Sequence, residues 1–335
     1  MNWDKLRQEY DKKEVLGWLR KFSDQIIEAV YHGKKFKAKK RKIDKIVGCG
    51  MGGSGVGAEI LRNILKEELK VPFEVFHSYK LPAYVDKNTL VFCVSFSGNT
   101  EETIACFKQA KQKRAYVVSV STDGKLKRMA KSNLILVPAS APQPRMGLAY
   151  VCLPILVVLE KLGLVEKKNH QLNETVFLLK KEEARLEQKA RELALRMRNK
   201  LPIIYAPEEL QTVAYRFRTE LNENSKQFAL HHFLPEHNHN EINAWLGVNK
   251  KSCEIFLLRH QGELKKVSKR FTVLRKIMGK HFNITEINLK GKSLTAVTFY
   301  ALQLAALTSY HLALLNKIDP EPVPFIKVLK KELKK

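Results

Sequence analysis

Three glycines with the spacing of a dinucleotide-binding turn lie in the segment IVGCGMGGSG, residues 46–55. Gly48-x-Gly50-x-x-Gly53 is the pattern that lets a backbone turn approach a pyrophosphate. Such a site also needs an acidic residue at the end of the second strand, to bind the ribose hydroxyls. That strand ends here in HSY (77–79), and Glu74 within it is predicted to point into a packed face. The turn also carries a hydroxyl group, on Ser54. Because the acidic residue is missing, the sequence disfavours an NAD-dependent enzyme.

A second turn rich in hydroxyl groups ends the third predicted strand, in VSFSGNTEET (94–103). Hydroxyl and backbone N–H groups at a helix N-terminus form an anion site, although Ser or Thr there is also an ordinary helix cap. Ligands bind where the carboxyl ends of parallel strands meet, so the two turns are expected to hold one phosphorylated sugar. The predicted contacts are Ser95, Ser97 and Thr100 for the phosphate, and Gly53 and Ser54 for the sugar.

A third polar cluster lies in RFRTELNENSKQFALHHFLPEHNHNEINAW, residues 216–245, which is predicted to be the end of a helix and a loop. Three interpretations of it are open. It is a solvated loop with capping asparagines, a proton-transfer site with a carboxylate and a histidine, or a metal site. The spacing of its carboxylates does not fit a metal-dependent cupin, despite His237-x-His239. The possible metal ligands are His231, His232, His237, His239, Glu236 and Glu241.

Strands that alternate with helices are predicted along the whole chain, which indicates two α/β domains with parallel sheets covered on both faces. Each is an α/β sandwich. The expected segments are an N-terminal helical segment with a basic linker (1–44), two domains (45–167 and 168–319) and a C-terminal helix (320–335). The strands are predicted at 45–50, 72–79, 89–97, 115–122, 133–139, 202–206, 253–259 and 284–289.

The 335-residue chain is strongly basic, with 60 Lys and Arg against 34 Asp and Glu and a net charge of +26. Such an excess is typical of nucleic-acid binding or of anionic substrates. The densest run, KKFKAKKRK (34–42), is predicted to be a solvated linker. Five cysteines without a CxxC pair indicate a reduced, cytoplasmic compartment. The apolar stretch 293–315 contains Gln303 and His311, which favours a buried core helix over a membrane span.

The motifs GMGGSG and SFSGNTEET resemble the sugar isomerase domain of phosphosugar isomerases. With PRMG (144–147), ELNENSK (220–226), NHNEI (238–242) and the terminal DP…LKKEL, the chain resembles bifunctional phosphoglucose/phosphomannose isomerases over nearly its whole length. The resemblance implies two sugar isomerase domains, neither cofactor nor metal, and a homodimer with shared active sites. The implied reaction interconverts glucose 6-phosphate, and mannose 6-phosphate, with fructose 6-phosphate through an enediol.

The same resemblance implies the roles of four residues. Glu223 is the base that carries a proton between C2 and C1, with Glu220 and Glu241 as rivals of the right type. His239 acts on the ring oxygen or a hydroxyl, and in relatives it comes from the neighbouring subunit. Arg145 stabilises the enediolate charge. Lys330 is the C-terminal lysine of the site, with Lys327 and Lys331 as alternatives.

Two other functions remain open from the sequence. One is a non-catalytic sugar-phosphate sensor that binds nucleic acid, which the sequence disfavours because the residues before the first strand show no helix-turn-helix pattern. An isomerase of another phosphosugar is the second alternative. No membrane partner is expected.

Overall fold

The computed structural model describes residues 1–333, which form two compact units. The first unit is Lys21–Phe177, and the second consists of Met1–Arg20 together with the described chain from Leu178 onward. The boundary between them lies within a long helix. The domain limits expected from the sequence differ from these units in the placement of the first 44 residues, in the boundary expected at 167/168, and in the C-terminal helix, which is part of the second unit. The expected limits remain a prediction.

Twelve α-helices are present in the described chain. In order they are α1 Trp3–Tyr10, α2 Val15–Arg20, α3 Phe22–Lys35, α4 Gly53–Ile64, α5 Glu101–Gln112, α6 Gly124–Ala130, α7 Leu148–Lys161, α8 Asn169–Met197, α9 Gln211–Asn224, α10 Lys265–Met278, α11 Leu294–Leu315 and α12 Pro324–Glu332. The nine strands are β1 Lys45–Cys49, β2 Phe73–Phe76, β3 Thr89–Val94, β4 Tyr116–Ser121, β5 Leu134–Leu136, β6 Leu201–Pro207, β7 Leu230–Leu234, β8 Cys253–Arg259 and β9 Ile284–Asn288.

The first unit contains a five-stranded parallel sheet in the order β2-β1-β3-β4-β5. Its central strands are apolar on both faces, as expected where helices cover both sides. Alternate residues of β1, β3 and β4, such as Val47, Val91 and Val117, pack with α5 and α6 in one core cluster. The helices α3, α4 and α7 pack together, and α4 contacts β1 and β2. This confirms the predicted parallel α/β architecture.

The second unit contains a four-stranded parallel sheet in the order β7-β6-β8-β9. The strand β7 lies in the region that the sequence analysis assigned to helix and loop, so that assignment was wrong. Leu230 pairs with Ile203, and Leu234 pairs with Pro207. β7 is an edge strand whose side chains are exposed or partly buried, apart from the buried Leu234. Because His231 and His232 are adjacent in β7, the strand lacks the strict apolar/polar alternation by which half-buried strands are recognised.

The apolar helix α11 lies in the core of the second unit. Within the described chain it is the one helix long and apolar enough to cross a membrane, and 94% of its most apolar window is buried. The helices α1 and α2 pack against it. The Gln303 side chain donates to the Leu19 carbonyl oxygen at 2.7 Å. This burial is what the sequence predicts for a core helix.

The N-terminal helical segment is broken into separate helices where an aspartate caps α2. The buried Asp11 carboxylate accepts from the backbone N–H groups of Val15 at 2.7 Å and Leu16 at 3.1 Å. It also accepts from the Tyr310 hydroxyl of α11 at 2.9 Å. Because the capping carboxylate is itself hydrogen-bonded to the core helix, it fixes α2 on the second unit.

Replacing Asp11 tests this anchor. We expect Asp11→Ala to lower the free energy of unfolding by about 1–3 kcal/mol, because it leaves two helix N–H groups and the Tyr310 hydroxyl without an acceptor. Tyr310→Phe removes only one hydrogen bond and is expected to cost about 1 kcal/mol. Urea denaturation of both variants measures the difference, and equal losses would contradict a capping role for Asp11.

Candidate active site

The glycine turn after β1 is a place where backbone segments touch. A Cβ atom on Gly50 would lie 3.0 Å from the Gly55 Cα and from the Val94 carbonyl oxygen. A Cβ atom on Gly55 would lie 2.5 Å from the Gly50 carbonyl oxygen. The glycines therefore bring the start of α4 against the end of β3, and Gly53 is the first residue of α4.

The two turns predicted to share a ligand are joined by a hydrogen bond. The Phe96 backbone N–H donates to the Ser54 Oγ at 3.1 Å. Ser54 is buried, and its oxygen is used by the protein backbone. The structure thus brings Gly53 and Ser54 beside the segment 95–100, as the convergence of strand ends requires.

The hydroxyl groups of the second turn lie at the start of α5. The Ser95 and Thr100 hydroxyl oxygens are 2.8 Å apart, and the Thr100 N–H donates to the Ser95 Oγ at 3.4 Å. Ser95 is fully buried, whereas Ser97 is exposed. The Ser97 Oγ accepts from the Asn99 N–H at 3.3 Å. Thr100 is the N-cap residue of α5, so these polar groups surround the amino end of a helix, where anions bind.

This turn is held rigid by the segment after β4. Gly98 has a φ of +67°, and its carbonyl oxygen accepts from the Leu126 N–H at 2.9 Å. The Thr122 hydroxyl donates to the Phe96 carbonyl oxygen at 2.7 Å, and the Lys125 N–H donates to the Asn99 Oδ1 at 3.1 Å. A loop with its backbone groups fixed in this way pays little entropy when it binds an anion.

Arg145 lies in a 3-10 turn, Pro144–Gly147, that packs against the same loop. The turn contacts α4, and Gly147 lies against the Phe96 ring. Arg145 is only 4% exposed. The first unit therefore places Arg145 next to two turns: the glycine turn (residues 50–55) and the turn that carries Ser95, Ser97 and Thr100 (residues 95–100), called the hydroxyl turn below.

His77 was missed by the sequence analysis as a residue of this site. Its Nδ1 lies 2.6 Å from the Gly50 carbonyl oxygen, and its Nε2 lies 3.0 Å from the Glu59 Oε1 on α4. The hydrogen bond to Glu59 raises the pKa of His77. Burial opposes ionisation of Glu59, but His77 and Arg62 outweigh it and lower the pKa of that carboxyl. The sequence signal that could have identified His77 is its position directly after the end of β2. Because β2 pairs with β1, that end lies next to the turn after β1.

In the second unit, Glu223 lies in the last turn of α9 and is half-buried. Its backbone carbonyl oxygen accepts from the Lys226 Nζ at 2.8 Å. The rival Glu220 is buried and forms an ion pair with the Arg216 guanidinium. It also accepts from the Asn224 amide at 2.6 Å. Glu220 is therefore charge-compensated within α9, which suits a structural role more than that of a base.

The other rival, Glu241, belongs to an aromatic network. The Tyr205 hydroxyl donates to its carboxylate at 2.5 Å, and the Trp245 Nε1–H donates to the Tyr205 oxygen at 3.0 Å. Burial and the bond to Glu241 raise the pKa of Tyr205. Glu241 is thus engaged in holding the 3-10 segment Glu241–Gly247 against β6.

The histidines of this region differ in environment. His237 is fully buried beside the Tyr205 ring, with ring centres 4.3 Å apart. Burial, with the His232 charge, lowers the pKa of His237 to about 4. Burial, with Arg218 and His232, lowers that of His231 to about 4. His239 is exposed in the 3-10 turn Glu236–His239.

No group of three His, Cys, Asp or Glu side chains in residues 1–333 has the geometry to hold a metal ion. The six possible ligands named from the sequence therefore do not form such a group. Lys330 lies on α12, a helix without buried residues, and is exposed together with Lys327 and Lys331. In the described chain, neither the His239 ring nor the Lys330 ammonium has a hydrogen bond or an ion pair with another side chain. The roles assigned to Glu223, His239, Arg145 and Lys330 stay predictions.

Known families match both halves of the chain. The SIS domain model matches residues 40–164, and the model of the bacterial phospho-glucose isomerase C-terminal SIS domain matches residues 186–333. Bifunctional phosphoglucose/phosphomannose isomerase of Caldicellulosiruptor bescii is 36% identical over 92% of this chain and 96% of that protein. The protein of the same name from Thermoplasma volcanium is 33% identical over 93% and 99%.

One solved structure shows the breadth of the fold. The C-terminal domain of glucosamine-fructose-6-phosphate aminotransferase from Francisella tularensis has a TM-score of 0.73 with this chain. It is 18% identical, and the alignment covers 93% of this chain and 98% of that one. At this identity the likeness concerns the fold alone, which both chains share along almost their whole length.

Gly98 gives a sharp test of the hydroxyl turn. A Cβ atom there would lie 1.7 Å from the Asp123 carbonyl oxygen, in a left-handed conformation that costs a non-glycine residue about 1–3 kcal/mol. We expect Gly98→Ala to lower the free energy of unfolding by about 3 kcal/mol. In the matched control Gly17→Ala, the new Cβ meets no atom within 4 Å, and the helix α2 should gain about 0.5–1 kcal/mol. Similar midpoints in urea would contradict the rigidity of the turn.

The ion pair of His77 with Glu59 predicts that the free energy of unfolding depends on pH. A histidine whose folded pKa is raised stabilises the fold below its unfolded pKa and loses that effect as pH rises through the folded value. Glu59, whose pKa is lowered, loses its effect as pH falls through its folded value. The pair therefore stabilises most between about pH 4.5 and 6.5, by up to about 1 kcal/mol because it is partly exposed.

The measurement is urea denaturation of the parent protein and His77→Gln at pH 6 and 9, with exposed His170→Gln as the control. The stability difference caused by His77→Gln should be larger at pH 6. A loss of stability that is the same at both pH values would contradict an ionised pair of His77 and Glu59.

Proposed function

The chain belongs to the bifunctional phosphoglucose/phosphomannose isomerase family and is a phosphosugar isomerase, and we propose that it interconverts glucose 6-phosphate and mannose 6-phosphate with fructose 6-phosphate. The resemblance inferred from the sequence motifs is confirmed. The observation that carries the proposal is the hydroxyl turn at the amino end of α5, where Ser95 and Thr100 are joined at 2.8 Å. It is a site for one phosphate group, and the ribose-binding carboxylate of a dinucleotide site is missing from the end of β2.

The phosphate lies on Ser95, Ser97 and Thr100, and Gly53 and Ser54 contact the sugar. Backbone N–H groups and hydroxyls bind the phosphate without a fixed cation, and the dipole of α5 adds to the attraction. The buried Arg145 guanidinium stabilises the charge on the enediolate oxygen. A fixed cation in a buried position is effective there because it needs no reorganisation during the reaction.

Proton transfer is assigned to Glu223. After the sugar ring opens, its carboxylate removes the proton from C2 of the aldose phosphate, the C2–H electron pair forms the C1=C2 double bond, and the C1 carbonyl oxygen becomes an enediolate oxygen. This oxygen takes up the proton of the C2 hydroxyl, which gives the C1 hydroxyl and moves the charge to the C2 oxygen. The same carboxyl group then returns its proton to C1 as the C2 oxygen becomes the carbonyl of fructose 6-phosphate. Delivery to either face of C2 in reverse yields the glucose or the mannose epimer. A carboxylate base of this kind contributes about 10²–10⁴-fold to the rate.

The exposed His239 acts on the ring oxygen or a hydroxyl, and it does so in a neighbouring copy of the chain, so we propose a cytoplasmic homodimer with shared active sites. Lys330 is the C-terminal lysine of the site. The reaction as proposed needs neither metal nor cofactor, since proton transfer and charge stabilisation come from side chains.

The test is a turnover assay with EDTA present, in which glucose 6-phosphate and mannose 6-phosphate are supplied separately and fructose 6-phosphate is measured. Glu223→Gln is expected to lower kcat by about 10²–10⁴-fold on both substrates while sugar phosphate still binds. Glu241→Gln is the matched variant, because it removes a carboxylate held by Tyr205. Its turnover should stay within about tenfold of the parent.

Loss of turnover in Glu241→Gln with activity kept in Glu223→Gln would move the base to Glu241. Turnover of glucose 6-phosphate alone would narrow the activity to a phosphoglucose isomerase. A folded, dimeric protein that is silent on both substrates would favour an isomerase of another phosphosugar or a non-catalytic sugar-phosphate-binding regulator.

A further inference from the structure

An open pocket of about 330 Å³ lies in the first unit, at the amino end of β4. Tyr116, the first residue of β4, lines the pocket. The glycine turn and the hydroxyl turn follow the carboxyl ends of β1 and β3, so the pocket is at the opposite edge of the same parallel sheet. It is therefore separate from the phosphate site described above. Its lining residues are Lys39, Arg41, Lys111, Arg114, Ala115, Tyr116 and Asn133.

Four of these seven residues are cationic, and none of the described residues that line the pocket is acidic. In residues 1–333, none of the four cationic side chains forms an ion pair with a carboxylate. Lys45, by contrast, forms ion pairs with Asp44 and Asp86. The cations around the pocket repel one another, so an anion bound there relieves that repulsion.

Tyr116 contacts the basic run at two residues, Lys39 and Arg41. The Lys39 backbone N–H donates to the Tyr116 hydroxyl oxygen at 3.0 Å. The Arg41 guanidinium lies over the Tyr116 ring, 4.7 Å from its centre, a geometry that favours a cation. Tyr116 itself is only 4% exposed. A rigid aromatic residue thus orders the segment 39–41 at the edge of the pocket.

Arg114 reaches the pocket from an unusual backbone position. It follows the C-terminal end of α5 with a φ of +59°, and its N–H donates to the Lys111 carbonyl oxygen. Glycine is the common residue at such a left-handed helix end. The cations at Lys111 and Arg114 also favour the dipole of α5, but this does not explain Lys39 and Arg41, which lie outside any helix.

We propose that this pocket binds a small anion with two or three linked phosphate groups, such as inorganic di- or triphosphate or the polyphosphate part of a nucleotide. One phosphate group carries about two negative charges, so four cations match two linked groups better than one. The planar guanidinium groups of Arg41 and Arg114 bind phosphate oxygens in pairs. The pocket also accounts for part of the basic excess that a sugar-phosphate substrate leaves unexplained.

The experiment is isothermal titration of the full-length protein with tripolyphosphate at low salt, with Arg41→Gln/Arg114→Gln as the test variant. Loss of two partly solvated charge pairs should weaken binding by at least about tenfold. The charge-matched control Lys12→Gln/Lys13→Gln changes two exposed lysines that belong to the second unit, and its affinity should stay within about twofold of the parent. Unchanged isomerase turnover and thermal midpoint in the test variant would show that its fold and the phosphate site are intact.

Titration with ATP separates the two sources of the ligand. Equal affinity for ATP and tripolyphosphate indicates that phosphates alone are recognised, and tighter binding of ATP indicates a nucleotide. No binding of either anion to the parent protein would overturn the proposal. Equal losses in the test and control variants would also overturn it, as would binding of single-stranded nucleic acid that tripolyphosphate does not displace.

Discussion

The first unit depends on the contact between two backbone turns. The turn after β1 approaches the end of β3 so closely that Gly50 and Gly55 have no room for side chains. One hydrogen bond, from the Phe96 N–H to the Ser54 Oγ, then joins this turn to the hydroxyl turn. The positions of the hydroxyl turn, of α5 and of the Arg145 turn follow from that contact. His77 holds the same turn from the other side, through the Gly50 carbonyl oxygen.

The second unit is organised by buried polar networks. The ion pair of Arg216 with Glu220 lies within α9, and Asn224 extends it to Ser309 of α11 at 2.9 Å. The pairing of the two buried charges offsets part of their desolvation penalty, and the Asn224 hydrogen bond to Ser309 links α9 to the core helix. The network that joins Tyr205, Glu241 and Trp245 does the same for the segment after β7. Glu220 and Glu241, two of the three candidate bases, therefore form contacts that stabilise the fold.

Sequence patterns predicted most of the sheets because β1, β3, β4, β6 and β8 are buried, apolar and bounded by turns. The edge strand β7 was not predicted, since a half-exposed strand with His231 and His232 looks like a loop. The short helix α6 was likewise not recognised. Ser54, Ser95 and Thr100, which the structure brings close together, could be named from the sequence because each belongs to a local glycine or hydroxyl motif, and their roles stay predictions. His77 was not, because its role comes from the neighbouring position of β2 in the sheet, which local sequence does not specify.

The C-terminal helix α12 contributes little to the core, since none of its residues is buried and Phe325, Leu329 and Leu333 are exposed. Its contribution to the stability of an isolated chain is correspondingly small. If Lys330 belongs to the catalytic machinery, then that part of the machinery is carried on a helix without buried residues. Substitutions in α12 would then alter the chemistry with little loss of stability, so the activity could diverge there without a change in the fold.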